Sequence, residues 1–304
     1  MDVRKVKNNS MPVKSPVPSL RFSEHRARIR LSLSLLLSAA LLSSSFARAF
    51  SAPLTGTPLN DGYHALYNLD FTAAHAHFQH WIADHPEDPL GPASDAAAYI
   101  FTEFDRLGVL DIELFADDNR FTSRKRPAID PVIQQGFQDR AAQTDRLADA
   151  ALQRNPRDAN ALYSKAVISG MRADWASLID RHEYGAFKFS ELASKYAKQA
   201  LAVDSTLYDA NLAVGIENYM LSLKAAPIRW ILGLAGAGTN KQEGVRLLKL
   251  TAEKGHYLAP FARLMLAVGE LRDGNTQQGK AILIGLSQEF PQNTLYQRQI
   301  ARLH

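Results

Sequence analysis

Asp70-Phe71-Thr72-Ala73-Ala74-His75-Ala76-His77-Phe78-Gln79-His80-Trp81-Ile82-Ala83-Asp84-His85-Pro86 reads as one amphipathic helix with a fixed end. Phe71, Ala74, Phe78 and Ile82 recur at helical spacing, and Pro86 forbids continuation. The same ruler returns near the other end of the chain, where Gly274-Asn275-Thr276-Gln277-Gln278-Gly279 is followed by Leu283, Leu286 and Pro291. In both places a small residue is followed by a large apolar one at +4 and by proline at +12. With alanine in the large position, the ruler fits Thr144, Ala148 and Pro156. It also fits Ala193, Ala197 and Ser205, with Asp204-Ser205 in place of the proline stop, and, more loosely, Gly244, Leu248 and His256.

This spacing describes the second helix of a helical pair. A small residue admits a neighbouring helix, an apolar residue one turn later fills the gap, and the stop ends the unit. A new helix then starts: Asp158-Ala159-Asn160-Ala161-Leu162-Tyr163 follows Pro156, and Leu207-Tyr208-Asp209-Ala210-Asn211-Leu212 follows Ser205. Beyond residue 49 nearly all of the chain keeps helix-period apolar spacing, with little period-2 alternation, so the fold class is all-α. At 46% hydrophobic and 22% charged residues the chain can bury a core, which excludes disorder as its main state. The absence of cysteine excludes disulfide scaffolds, thiolate zinc sites, iron-sulfur ligation and thiol nucleophiles.

The chain resembles the tetratricopeptide repeat family, whose units are helix-turn-helix pairs of about 34 residues. Gly62, Ala74, Phe78 and Pro86 match the family's small, small, large and stop positions, as do Ala267, Gly279, Leu283 and Pro291. Pro86 and Pro156 stand 70 residues apart, which predicts two units between them, and His256 and Pro291 stand 35 apart. The intervals of 49 and 51 on either side of Ser205 depart from the family spacing and predict lengthened helices or inserted loops. The resemblance implies an α-solenoid of four to five stacked pairs with irregular insertions, covering residues 50–304 as one domain. Leu162–Trp175, Asp204–Met220 and Trp230–Leu266, with the turn Lys254-Gly255-His256-Tyr257, are also similar to a broad group of exported tetratricopeptide-like proteins of bacteria.

Residues 1–49 read as an export signal. A basic stretch (Arg21, Arg26, Arg28, Arg30) precedes an apolar run from Leu31 to Leu42, then Ala47-Arg48-Ala49. That run is well short of the roughly 20 residues needed to span a bilayer, so cleavage after Ala49 is expected. The leader holds nine Lys/Arg against two acidic residues, leaving 26 basic and 29 acidic residues beyond it, although the whole chain is net +4. The product therefore lacks the basic excess that holds nucleic acid, and nucleic acid is excluded as a partner. A soluble protein of the bacterial periplasm is the expected location.

In a solenoid of this type the first helix of each pair lines a concave face on which peptides dock. The family ruler puts Tyr63, Leu66 and Tyr67 there, then Asn160 and Tyr163, then Asp209, Leu212, Ile216 and Tyr219. Five of the nine histidines fall between His64 and His85. His77, His80 and Asp84 have the i, i+3, i+7 spacing to seat a divalent ion, although Phe71, Ala74, Phe78 and Ile82 claim the buried side of that helix. No metal or other cofactor is therefore expected. The segment 106–130 reads as an acidic-then-basic loop insertion. The segment 225–238 reads as an apolar insertion, in which Trp230, Ile231 and Leu234 could touch a membrane or pack inside. No nucleophile elbow, zincin or kinase signature occurs. The expectation is an exported, non-catalytic scaffold that binds a protein or peptide segment, of another cell-envelope protein, in its concave groove. The rival reading is a metal-handling protein or enzyme using His75, His77 and His80.

Overall fold

The computed structural model describes residues 57–111, 128–222 and 240–303, and every regular element among them is helical. The helices are α1 (Pro58–Tyr67), α2 (Phe71–Asp84), α3 (Leu90–Arg106), α4 (Pro131–Arg154), α5 (Ala159–Asp174), α6 (Glu183–Val203), α7 (Asn211–Ser222), α8 (Lys241–Lys254), α9 (Ala259–Arg272), α10 (Thr276–Glu289) and α11 (Thr294–Arg302). A π-turn, Trp175–Ile179, follows α5, and a 3-10 turn, Tyr208–Ala210, leads into α7.

Local chemistry sets many of the helix starts. Asp70, Asp158 and Asn240 each accept a backbone N–H three residues on, at 3.0, 2.9 and 3.1 Å. Pro58 and Pro131 occupy first-turn positions, where a missing N–H costs nothing. The stops follow the ruler. α2, α4, α6, α8 and α10 end at Asp84, Arg154, Val203, Lys254 and Glu289, each two residues before Pro86, Pro156, Ser205, His256 or Pro291.

Each helix packs against the next along the chain, so the described residues form five successive pairs, α1/α2 to α9/α10, closed by α11 in an α-solenoid-like arrangement. The small and large ruler positions all lie inside: Ala74, Phe78, Thr144, Ala148, Ala193, Ala197, Gly244, Leu248, Gly279 and Leu283 are buried. Two glycines show why small residues are required. A Cβ on Gly62 would sit 2.3 Å from a Phe78 ring carbon, and one on Gly244 would sit 2.7 Å from the Tyr219 backbone nitrogen.

The two helices of a pair differ in kind. α3 is buried without a break from Leu90 to Ala98 and α5 from Ala161 to Ser169, which places both in an inner layer. α4 and α6 bury single stripes, Phe137-Ala141-Thr144-Ala148-Ala151 and Ala193-Ala197-Ala200, and turn their other faces to water.

Among the described residues the interval Pro86–Pro156 holds the pair α3 and α4, of 17 and 24 residues, and residues 112–127 between them lie outside the described ones. The interval Pro156–Ser205 is stretched as expected, by a 21-residue α6 and the π-turn. The leader 1–49, most of the 106–130 insertion and the whole 225–238 insertion with Trp230–Leu234 lie outside the described residues. No helix among the described residues is long and apolar enough to cross a membrane.

Candidate functional site

The first pair does not stop at its neighbour. α1 reaches two turns that lie 190 or more residues further along the chain. Tyr67 Oη donates to the Tyr257 carbonyl at 2.8 Å and His256 Nε2 donates to Asn60 Oδ1 at 2.8 Å. At the last turn, Asn293 Nδ2 donates to the Tyr67 carbonyl at 2.8 Å and the Gln292 N–H donates to Asn68 Oδ1 at 3.1 Å. Ring contacts fill the joint: Tyr63 stacks on Tyr257 with centroids 4.8 Å apart, and Phe290 packs on Tyr67 and His64 at 5.3 and 5.5 Å. The helical stack therefore returns on itself along a seam between the first pair and the turns at 256–258 and 290–293.

That seam decides the fate of the concave-face residues. Tyr63, Leu66, Tyr67, Tyr163, Asp209, Leu212 and Tyr219 are all buried, and Ile216 is half-buried. Asn160 alone of the set is exposed, and its amide donates to Asp88 Oδ1 at 2.7 Å. The expected open groove is thus filled by the protein's own rings. Tyr63 Oη meets Ser94 Oγ at 3.0 Å, while Tyr163 Oη has no hydrogen-bond partner among the described residues. Burial pushes the Tyr63, Tyr67 and Tyr163 hydroxyls well above the usual phenol range and pushes Tyr257 up to about 12. Asp209 has a structural task here: its carboxylate accepts the Tyr257 and Leu258 N–H groups at 2.9 and 3.0 Å and shapes their turn. Burial raises its proton affinity in spite of those donors.

The histidines of α2 go to three different places. His75 Nδ1 lies 2.5 Å from Oδ1 of Asp95, whose side chain is fully buried and whose Oδ2 accepts from Arg140 Nε at 2.6 Å. His80 pairs with Asp84 at 3.1 Å on the exposed face. His77 turns toward α10. The convergence that the rival reading requires, of His75, His77 and His80, or of the weak candidates His77, His80 and Asp84, is not formed, and no group of three or more potential metal ligands occurs among the described residues. The helical spacing was right, but adjacent turns of α2 face different neighbours.

Sequence reasoning missed Asp95, Arg140 and Glu103. Glu103 is fully buried, takes a bidentate guanidinium from Arg106 with both bonds at 2.7 Å, and accepts the Asp130 N–H at 3.0 Å. The signal available was a lone carboxylate in an otherwise apolar or small-residue run, Pro92-Ala93-Ser94-Asp95-Ala96-Ala97-Ala98, which demands a partner from another helix.

An open cleft of about 580 Å³ lies at the rim of the seam. One wall comes from α1 and α2 with Asp61, His64, Asn68 and His77, and the other from the α10–α11 turn with Gln288, Glu289 and Gln292. No Lys or Arg lines it. Glu289 is held by Arg263 at 2.6 Å, and Asp70 caps α2, which leaves imidazoles, amides and carboxylate oxygens facing the opening. No protein-family model, curated protein or solved structure matches this chain.

Proposed function

We propose that this protein is a non-catalytic helical scaffold of the tetratricopeptide type, exported to the periplasm, that binds a segment of another cell-envelope protein. The cleft at the seam is the supporting observation: it is concave and polar, and its walls are helices packed into one core. Such walls are pre-organised, so a bound segment meets its contacts with little ordering cost on the scaffold's side. The inner tyrosines then serve to hold the walls together and do not themselves touch the ligand.

A photoreactive residue at His77, which lines the cleft, is the test, with the same probe at Lys198 on an exposed stretch of α6 as control. One discrete protein, crosslinked from His77 alone and through a single mapped segment, is the expected result. Equal and diffuse labelling from both positions would refute the reading. For the location, the measurement is the N-terminal sequence of the protein recovered from the periplasm, expected to begin at Phe50.

A further inference from the structure

We propose that the segment held in the cleft is basic: an extended stretch of the partner protein that lays Lys or Arg side chains against Asp61, Asp70 and Glu289. That a segment binds there rests on the partner-binding reading above, and its charge follows from the residues of the cleft.

Charge is unevenly placed along the domain. Residues 50–105 contain eight Asp and Glu and no Lys or Arg, whereas all 26 Lys and Arg beyond the leader fall in residues 106–304, against 21 acidic residues there. The stretch without cations includes the whole of α1 and α2, which make one wall of the cleft. Much of its acidity is already matched within the fold. Asp95 and Glu103 are buried against Arg140 and Arg106, Asp88 accepts from Trp81 and Asn160, and Glu87 and Asp84 pair with Arg154 and His80.

The two carboxylates on that wall of the cleft are different. Asp61 has no ion pair or side-chain hydrogen bond among the described residues, and Asp70 commits one oxygen, to the Ala73 N–H. From the other wall Glu289 brings a third carboxylate, whose partner Arg263 is buried and does not line the cleft. Carboxylates of one sign on the walls of a concave site focus negative potential into it, which draws cationic groups and repels acidic ones. No group of three potential metal ligands converges among the described residues, so this charge is spread along the cleft and fits spaced cations on a chain better than a single ion. Between the carboxylates, the amides of Gln288 and Gln292 can donate to and accept from an extended main chain.

The experiment uses the full chain and a fluorescein-labelled eight-residue peptide alternating Lys and Ser, with its Glu-Ser twin for comparison, read by anisotropy. Asp61→Asn with Asp70→Asn removes two charges from the cleft, and asparagine keeps the α2 cap. Asp139→Asn with Glu253→Gln removes the same charge from exposed positions on α4 and α8 that do not line the cleft. The Lys peptide is expected to bind and the Glu peptide not to bind. The cleft variant is expected to bind the Lys peptide about tenfold more weakly, with unchanged helix content, and the α4/α8 variant to stay within about twofold of the parent. No binding of the Lys peptide, equal binding of the two peptides, or equal loss in both variants would overturn the basic-segment inference. Displacement of the peptide by spermidine at the same amine concentration would assign the cleft to free polyamines and overturn it as well. Capture at His77 through a segment without net positive charge keeps the partner reading and discards this one; charge-selective peptide binding lost in the cleft variant, without capture at His77, does the reverse.

Discussion

His75 on α2 donates its Nδ1 proton to the fully buried carboxylate of Asp95 on α3 at 2.5 Å, and the other carboxylate oxygen holds Arg140 of α4 at 2.6 Å. One carboxylate thus ties three consecutive helices and links the first pair to the second. Removing its charge leaves two partly exposed donors facing a neutral amide at a buried position. Asp95→Asn is expected to cost about 3 kcal/mol of stability, read as a lowered urea midpoint. His80→Ala, which breaks the exposed pair with Asp84, is expected to stay within about 0.5 kcal/mol of the parent in the same assay.

Phe78 occupies the space above Gly62 so fully that an added methyl would lie 2.3 Å from its ring. Gly62→Ala is expected to destabilise by about 1–3 kcal/mol, because the neighbouring rings Tyr63 and Phe78 leave little room to yield. Pairing it with Phe78→Leu should cost less than the sum of the two single changes, and a double-mutant cycle of denaturation midpoints measures that coupling.

Tyr163 carries a buried hydroxyl with no hydrogen-bond partner among the described residues. Tyr163→Phe keeps the ring and removes the polar atom, so the expected change is neutral or a gain of up to about 1 kcal/mol. A rise or no change in Tm agrees, and a clear fall shows that the hydroxyl has an energetically important contact.

Burial pushes the Asp174 carboxyl, at the end of α5, up to about 7. The folded chain then holds that proton more tightly than the unfolded chain, so the stabilisation is complete below about pH 4 and is lost as pH rises through 7. The parent should therefore lose stability relative to Asp174→Asn between pH 4 and pH 8. Denaturation midpoints of both proteins across that range test it; parallel curves would show that Asp174 is not the titrating group.

The pairs were legible because their determinants are local. Ala74, Phe78 and Pro86 stand at covalently fixed spacings, and a helix converts such spacings into one buried stripe and one end. The lengths of α3 and α4, 17 and 24 residues, were not legible, because how far a helix runs depends on how far its stripe finds something to cover, which no spacing rule states. The candidate groove was misread for a related reason. Tyr63 and Tyr163 were expected on an open face and both are buried; Tyr63 is covered by Tyr257, a residue so distant in sequence that no periodicity connects it to α1. Asp95 and Arg140 had the same difficulty: each is ordinary alone, and only the packing of α3 on α4 makes them a pair.

The seam also has a consequence for the order in which the molecule is made. α1 is among the earliest parts of the domain to be synthesised, yet Tyr63 and Tyr67 meet Tyr257 and Phe290 only after most of the chain has followed. Throughout that interval two large aromatic side chains lack their final cover while the local pairs are already able to form. The first helix is thus the last to be finished, and its tyrosines are the surface that a chaperone guarding the nascent chain would have reason to hold.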